Sequence, residues 1–402
     1  MILKKSRLSP WAIAYKTQSY LKNPVETKSN QVSFRKFEDN LVCMLITREN
    51  ILDALRNVED PDLKKDLVTL NMIEDLVIEG NKVSFTVVLT TPACPMKEML
   101  ENACRNAVKH FVSKDADINI KMSSRVTTPQ RQFSSSIKNI IVVASGKGGV
   151  GKSTVAVNLA LGLSLNGAKV GLIDADIYGP SIPIMFGLEG ARPKASEING
   201  KTSIEPIEKY GIKLLSMGFF TDPNQPVPWR GPMISTAVKQ LFNDAEWGEL
   251  DYLVVDLPPG TGDIHITVTQ SFPIAGAVIV TTPQQVALAD ARKGIGMFLM
   301  DAINVPLLGI VENMSYFTPA ELPENKYYIF GKNGGQSLAT NYNAPFLGEI
   351  PLVQSISEAG DAGKPVILQE DHLMSKAFLE LAQKVAQQVA IQNDKAKTAS
   401  II

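Results

Sequence analysis

Ile140-Ile141-Val142-Val143-Ala144-Ser145-Gly146-Lys147-Gly148-Gly149-Val150-Gly151-Lys152-Ser153-Thr154 decides the reading of this 402-residue chain. A continuous apolar run of buried-strand type, Ile140 to Ala144, passes straight into a glycine-rich loop. A helical pattern from Ser153 to Asn166 follows and stops at Gly167. The loop satisfies G-x-x-x-x-G-K-[ST], a match that average residue usage allows by chance on the order of 1% of the time in a chain this long. Glycines let backbone N–H groups converge on phosphates, and the helix N-terminus adds its positive end. Gly146, Lys147, Gly148, Gly149, Val150, Gly151, Lys152, Ser153 and Thr154 are therefore the expected ATP cradle. Lys152 is expected at the β/γ-phosphates, and the Ser153 hydroxyl on Mg²⁺.

Two further motifs lie where such a site needs them. Asp174-Ala175-Asp176 follows an apolar strand, Val170 to Ile173, and so stands at the carboxyl-terminal sheet edge where ligands bind. Asp256-Leu257-Pro258-Pro259-Gly260-Thr261-Gly262-Asp263 follows Leu253 to Val255. An acid there grips Mg²⁺ through water, and the rigid Pro-Pro-Gly forms a switch near the γ-phosphate. Asp176 is placed to orient or deprotonate the attacking water. Lys147 is a second lysine in the loop, which an ordinary P-loop does not need. With Gly276 to Val280 and Leu307 to Val311, short β-rich runs alternate with helical stretches. The fold class expected is α/β, a P-loop NTPase with a mostly parallel sheet covered by helices on both faces.

In front of this, Thr47-Arg48-Glu49-Asn50 opens a helix carrying Ile51, Leu52, Leu55 and Val58, ended by Asp60-Pro61-Asp62. Val77 to Val83 reads as a hairpin, Thr91-Pro92-Ala93-Cys94-Pro95 as a break, and Met96 to Phe111 as a helix. The expected organisation is a basic extension or upstream start over residues 1–43 and a small α+β domain over 44–120. A flexible linker follows over 121–138, then the P-loop domain over 139–392 and a tail over 393–402. The last helix, about Met374 to Ile391, places Phe378, Leu379, Leu381, Val385 and Val389 on one face, as for docking on the core. Net charge is −1, which gives no general reason to expect nucleic acid or an acidic membrane as partner. No apolar run approaches the ~18 residues of a spanning helix. The three cysteines, Cys43, Cys94 and Cys104, have no paired spacing, which fits a reducing, cytoplasmic setting. Residues 1–43, basic and poor in acids, leave an organellar leader as the second reading. His110, His265 and His372 show no metal-ligand spacing and receive no role.

The loop, the Asp-Ala-Asp strand end and the Asp-Leu-Pro-Pro-Gly switch resemble the MinD/ParA/nitrogenase-reductase class of P-loop ATPases. Within it, Tyr178-Gly179-Pro180-Ser181-Ile182-Pro183, Trp229-Arg230-Gly231-Pro232-Met233, Gly260-Thr261-Gly262-Asp263 and Val311-Glu312-Asn313-Met314 closely resemble the Mrp family, regarded as iron–sulfur cluster carriers that bind and hydrolyse ATP. The front part resembles the small iron–sulfur-assembly domain that many members carry. The resemblance implies a homodimer, with Lys147 crossing to the partner's nucleotide and acting in trans. It implies adenine recognition at Asn313, and iron–sulfur apoproteins and assembly factors as partners. Family members commonly carry a Cys-x-x-Cys pair after Asn-Met-Ser, from which a dimer holds one 4Fe-4S cluster. Here Tyr316 to Gly331 contains no cysteine. Cys94 matches the small domain's cysteine and is the candidate cluster ligand, where a helix N-terminus would favour a thiolate. Two other readings stand beside the carrier: a MinD/ParA-like positioning ATPase, and a non-metal adaptor that remodels a protein partner.

Overall fold

The computed structural model describes residues 46–128, 136–198, 201–221, 231–319, 321–322, 324–369 and 373–399. Residues 1–43 with Cys43, linker residues 129–135, Trp229-Arg230, His372 and residues 400–402 lie outside them. Leu45–Ile402 form one compact unit, within which a front part and a larger part keep separate cores. No helix of the described residues is long and apolar enough to cross a membrane.

In the front part α1 (Arg48–Leu55) starts at Thr47, whose hydroxyl accepts from Asn50 N as an N-cap should. It stops at Leu55, short of the expected Asp60-Pro61-Asp62 signal. Asp60 instead makes a local turn, its carboxylate accepting from Asp62 N and Leu63 N. That turn joins the short antiparallel pair β1 (Glu59–Asp60) and β2 (Lys65–Asp66). The expected hairpin is β3 (Ile73–Glu79) and β4 (Lys82–Leu89). α2 (Lys97–Phe111) then crosses over so that β5 (Asp117–Ser124) lies parallel to β4, a pairing that a tight turn cannot make.

β5 carries the chain past the boundary expected at residue 120, and the described flanks of the linker are anchored rather than flexible. Arg125 N donates to Leu89 O, Val126 is buried in the larger part's core, and Thr127 O accepts from the Asn139 and Asn393 amides. Buried hydrogen bonds of this kind hold a segment whose composition alone reads as loop.

The larger part continues with β6 (Ile137–Ala144), α3 (Lys152–Leu165), β7 (Val170–Asp174), α4 (Ile182–Met185), β8 (Lys194–Ile198) and β9 (Lys201–Glu205). Next come β10 (Ile207–Lys209), β11 (Ile212–Ser216), α5 (Gly231–Asn243), β12 (Leu250–Asp256), α6 (Asp263–Ser271) and β13 (Ile274–Thr281). α7 (Gln285–Phe298), β14 (Leu307–Asn313), α8 (Gly334–Asn341), β15 (Phe346–Ile350), α9 (Gln354–Asp361) and α10 (Leu373–Ala399) complete it. Eight strands form one sheet in the order β10-β11-β7-β12-β6-β13-β14-β15. Every pairing is parallel except that of β10, which runs against β11 at one edge.

The continuous apolar run in β6 follows from burial on both faces. Ile141 and Val143 join α3 and α10 in one core, while Ile140 and Val142 join α5, α6 and α7 in the other. α10 is longer than read from sequence, and its helix takes in the expected tail as far as Ala399. Asn393, 3% exposed, explains the extension: its amide donates to Thr127 and to Asn139 Oδ1, so an extra helical turn is held inside the fold.

Candidate nucleotide site

β6 delivers the chain to Gly146, where a Cβ would lie 2.1 Å from the Asp290 carbonyl carbon of α7, so the strand can enter the loop only as glycine. Gly151 has φ 81°, in the left-handed region, and a Cβ there would meet the Asn313 amide at 2.1 Å. That amide donates to Val150 O at 2.8 Å. Asn313, expected at the adenine, thus has one N–H of its amide engaged in bracing the loop. Gly260 N donates to Ser145 O at 2.8 Å, tying the Pro-Pro-Gly segment to the start of the loop.

Lys152 opens α3 and is 6% exposed. Its ammonium lies 2.7 Å from Asp256 Oδ1, 3.2 Å from Ser153 Oγ and 3.6 Å from Asp176 Oδ2. Sheet register brings these acids together: β12 pairs with β7 so that Asp256 stands opposite Asp174. Asp174 is wholly buried and organises the chain beyond it. Asp174 Oδ1 accepts from Asp176 N at 3.1 Å, and Oδ2 accepts from Ser216 Oγ at 2.9 Å and Ile182 N at 3.3 Å. Burial pushes the Asp174 carboxyl up to about 7, and the Asp256 charge adds to this, while the Ser216 hydrogen bond and Lys152 oppose it. Burial also raises Asp256, against the pull of Lys152. One ammonium therefore pairs with two carboxylates beside a third, Asp174, which favours taking up further positive charge. Asp256 Oδ2 is buried without a hydrogen-bond partner. An orphaned carboxylate oxygen near a serine hydroxyl is hard-donor chemistry, and it fits a magnesium ion.

Two clefts open at this edge. One of about 260 Å³ is lined by the loop from Lys147 to Thr154 together with Asp176 and Pro259. The other, of about 560 Å³, shares Asp176, Gly179 and Pro259 with it and extends to Tyr178, Gly231 and Asp263. Lys147 is exposed, and its ammonium has no ion pair among the described residues.

Cys94 stands apart from all of this. Its loop packs on the early part of β12, with the Thr91 hydroxyl 3.4 Å from the Tyr252 hydroxyl and Ala93 buried in the α3–α10 core. Four residues of strand, about 13 Å, separate Tyr252 from Asp256. The expected thiolate is not favoured there. Burial pushes the Cys94 thiol up, and the Asp62 and Asp60 charges push it the same way, outweighing a hydrogen bond from the Met96 backbone. Cys104 is fully buried and its thiol is raised to about 12, as for a packing residue. No group of three or more His, Cys, Asp or Glu among the described residues is arranged to hold a metal. Where the family resemblance leads one to expect Cys-x-x-Cys, Phe317 and Tyr327 exchange backbone hydrogen bonds, and the Lys326 ammonium lies 4.0 Å from the Tyr316 ring centroid. That loop is closed by aromatic contacts.

Sequence reading did not single out Ser216 and gave His265 no role. Ser216 ends β11, a strand it did not find, and the burial of His265 has no local signature.

The family model of NUBPL iron-transfer P-loop NTPases matches residues 136–386, and that of iron–sulfur cluster assembly proteins matches residues 48–122. An iron–sulfur cluster carrier protein of Synechocystis is 49% identical over 86% of this chain and 99% of its own length. A chloroplastic Fe-S cluster assembly factor of Arabidopsis thaliana is 42% identical over 88% of this chain and 66% of its own. A nucleotide-binding protein of Archaeoglobus fulgidus, solved in complex with ADP, is 38% identical and covers 59% of this chain and 90% of its own, with a TM-score of 0.50. From loop to last helix, the chain belongs to the family of NUBPL iron-transfer P-loop NTPases.

Proposed function

We propose that the chain is a slow ATPase that carries iron–sulfur clusters to apoproteins as a homodimer. The observation that carries the ATPase half is the buried Lys152–Asp256–Asp176 constellation at the mouth of the glycine loop. In this reading the loop amides from Gly146 to Thr154 and the Lys152 ammonium bind the phosphates, and Asn313 recognises the base. Ser153 and Asp256 hold magnesium, which when bound neutralises charge on the β- and γ-phosphates. Asp176, held by its own backbone bond to Asp174, orients the attacking water. Nucleotide entry must draw Lys152 away from Asp256, so phosphate binding and rearrangement of the acids are one event.

The unpaired ammonium of Lys147 supports a role in trans. Tyr178 is 73% exposed and Met233 52%, beside the larger cleft, which suits a face that a second copy covers. The carrier half of the reading rests on the names of the relatives and on the assembly-type front part. Cys94 is the one thiol of the described front part that is not fully buried. One thiol per subunit supplies two of a cluster's four ligands in a dimer, so the remainder must come from an exogenous thiol or the receiving protein.

Iron, sulfide and the visible spectrum after anaerobic reconstitution test this, with Cys94→Ala beside wild type. A cluster bound by wild type and lost in the variant is the expected result. No cluster in either protein would remove the carrier reading and leave a dimeric ATPase acting on a protein partner.

A further inference from the structure

Four buried side-chain atoms among the described residues have no hydrogen-bond partner: Asp256 Oδ2, Thr282 Oγ1, and both ring nitrogens of His265. They are not scattered. Asp256 ends β12, Thr282 follows β13, and His265 is the third residue of α6, immediately beyond the Pro258–Gly262 switch segment. All stand at the carboxyl-terminal edge of the sheet, around the glycine loop. The Asp256 oxygen is accounted for by the magnesium it is suited to hold. The imidazole is not accounted for by any step of the reaction.

His265 is 0% exposed. Its ring lies edge-on to Phe298 of α7 with centroids 6.5 Å apart, and α7 is also the helix against which Gly146 packs. The Pro258 and Gly262 backbone adjoins the ring, but no bond to it meets hydrogen-bond geometry. Burial, with a smaller contribution from the Lys152 charge, lowers the imidazole to about 4, so it is neutral near pH 7 and offers one donor and one acceptor. A wholly buried imidazole with neither group satisfied costs stability, and a leucine of similar size at this position would not carry that cost. A cost of this kind is expected where a group finds its partner in another state of the protein.

We propose that His265 is a positioning residue for hydrolysis: with nucleotide in the phosphate cleft, the Pro258–Gly262 segment settles onto the imidazole. The ring N–H then donates to a carbonyl of that segment and holds it against the γ-phosphate. The proposal rests on the reading of the site as an ATPase. It makes His265 act through the switch segment, without touching the substrate.

The test compares wild type with His265→Leu and His265→Gln, the second retaining an amide donor. Thermal unfolding is followed with and without a non-hydrolysable ATP analogue and magnesium, and kcat and KM for ATP are measured. Without nucleotide, His265→Leu should unfold a few degrees above wild type. Its KM should stay within about threefold while kcat falls tenfold or more, and His265→Gln should recover most of that kcat. A His265→Leu protein with wild-type kcat overturns the proposal. So does one that melts below wild type without nucleotide, since the ring would then be satisfied in every state. Should the leucine variant not fold, His265→Met, a more pliable apolar side chain, carries the same comparison. Should wild type hydrolyse no ATP, the ATPase reading falls and the analogue alone decides. A smaller rise in melting temperature in His265→Leu than in wild type then supports the proposal, and equal rises overturn it.

Discussion

The two ends of the central sheet differ in how much chemistry each holds within one chain. At the carboxyl-terminal edge, strand register sets Asp174 beside Asp256, and a single lysine pairs with both Asp256 and Asp176. At the other end Cys94 is one half-buried thiol whose nearest charges, Asp62 and Asp60, disfavour its reactive form. The first gathers a lysine and two acids of the candidate site within one chain. The second is a fraction of a site, and whatever it holds must be held jointly. An ATP-driven cycle suits such a division, because closure around nucleotide is a way to bring two incomplete halves together.

The comparison breaks most visibly at Lys152. Lys152→Ala removes the phosphate clamp and leaves buried carboxylates without a cation. Titration with a fluorescent ATP analogue should show affinity lower by about a hundredfold to a thousandfold, in line with the roughly 2–5 kcal/mol lost when one partner of a buried charge pair across a binding interface is removed. Tight binding retained in this variant would contradict the assignment of the site. Lys147→Ala comes next. Binding should stay within a few-fold while turnover falls by about 10³, the scale of a cation supplied in trans. Mixing it with Asp176→Ala protein should restore part of the rate, since one of the two nucleotide sites of the mixed dimer keeps both groups intact. No recovery would place Lys147 in its own subunit's reaction.

A smaller effect follows from the buried imidazole. The folded pKa of His265, about 4, lies below the ordinary value of 6.5, so between these values the unfolded chain binds a proton that the folded chain does not. Stability is therefore fully present above about pH 6.5 and is lost as pH falls towards 4. His265→Leu should abolish this contribution, worth about 3 kcal/mol over the window. Asp174 acts in the opposite sense, its raised carboxyl favouring the folded protein as pH falls below 7, but it is common to both proteins and cancels. Denaturant unfolding at pH 7 and pH 4 measures the difference, and equal pH dependence in the two proteins would refute it.

The sheet and the candidate phosphate site were legible for two physical reasons: backbone convergence on phosphate demands glycines at fixed spacing, and burial on both faces demands unbroken apolar strands. Gly146, Lys152, Asp176 and Asp256 are therefore written locally. Ser216 and His265 are not, because what matters is the partner each meets or fails to meet across the fold. Asn313 was named only through the family resemblance, and its bond to Val150 O needed the tertiary structure. The described start of the linker was less legible for a related reason. Ser123 to Thr128 has loop composition, yet Thr127 is held by amides that lie 12 and 266 residues away in sequence.

The junction between the two parts gives the smallest effect. Lys65 and Asp394 form an ion pair of 2.9 Å across it, with side chains 39% and 28% exposed. Asn393, the neighbouring residue, is 3% exposed and bonded to Thr127 and Asn139. Solvent screens the first tie and not the second, so their costs should differ although they share a helical turn. Lys65→Ala should cost about 0–1 kcal/mol, and raising salt should cost wild type a similar amount. Asn393→Ala should cost about 1–3 kcal/mol and be indifferent to salt, because it strands a buried acceptor on Asn139. Urea titration at low and high salt distinguishes them. If Lys65→Ala proved the costlier change, the front part would be held by surface charge rather than by the buried amides, and its placement would loosen with ionic strength.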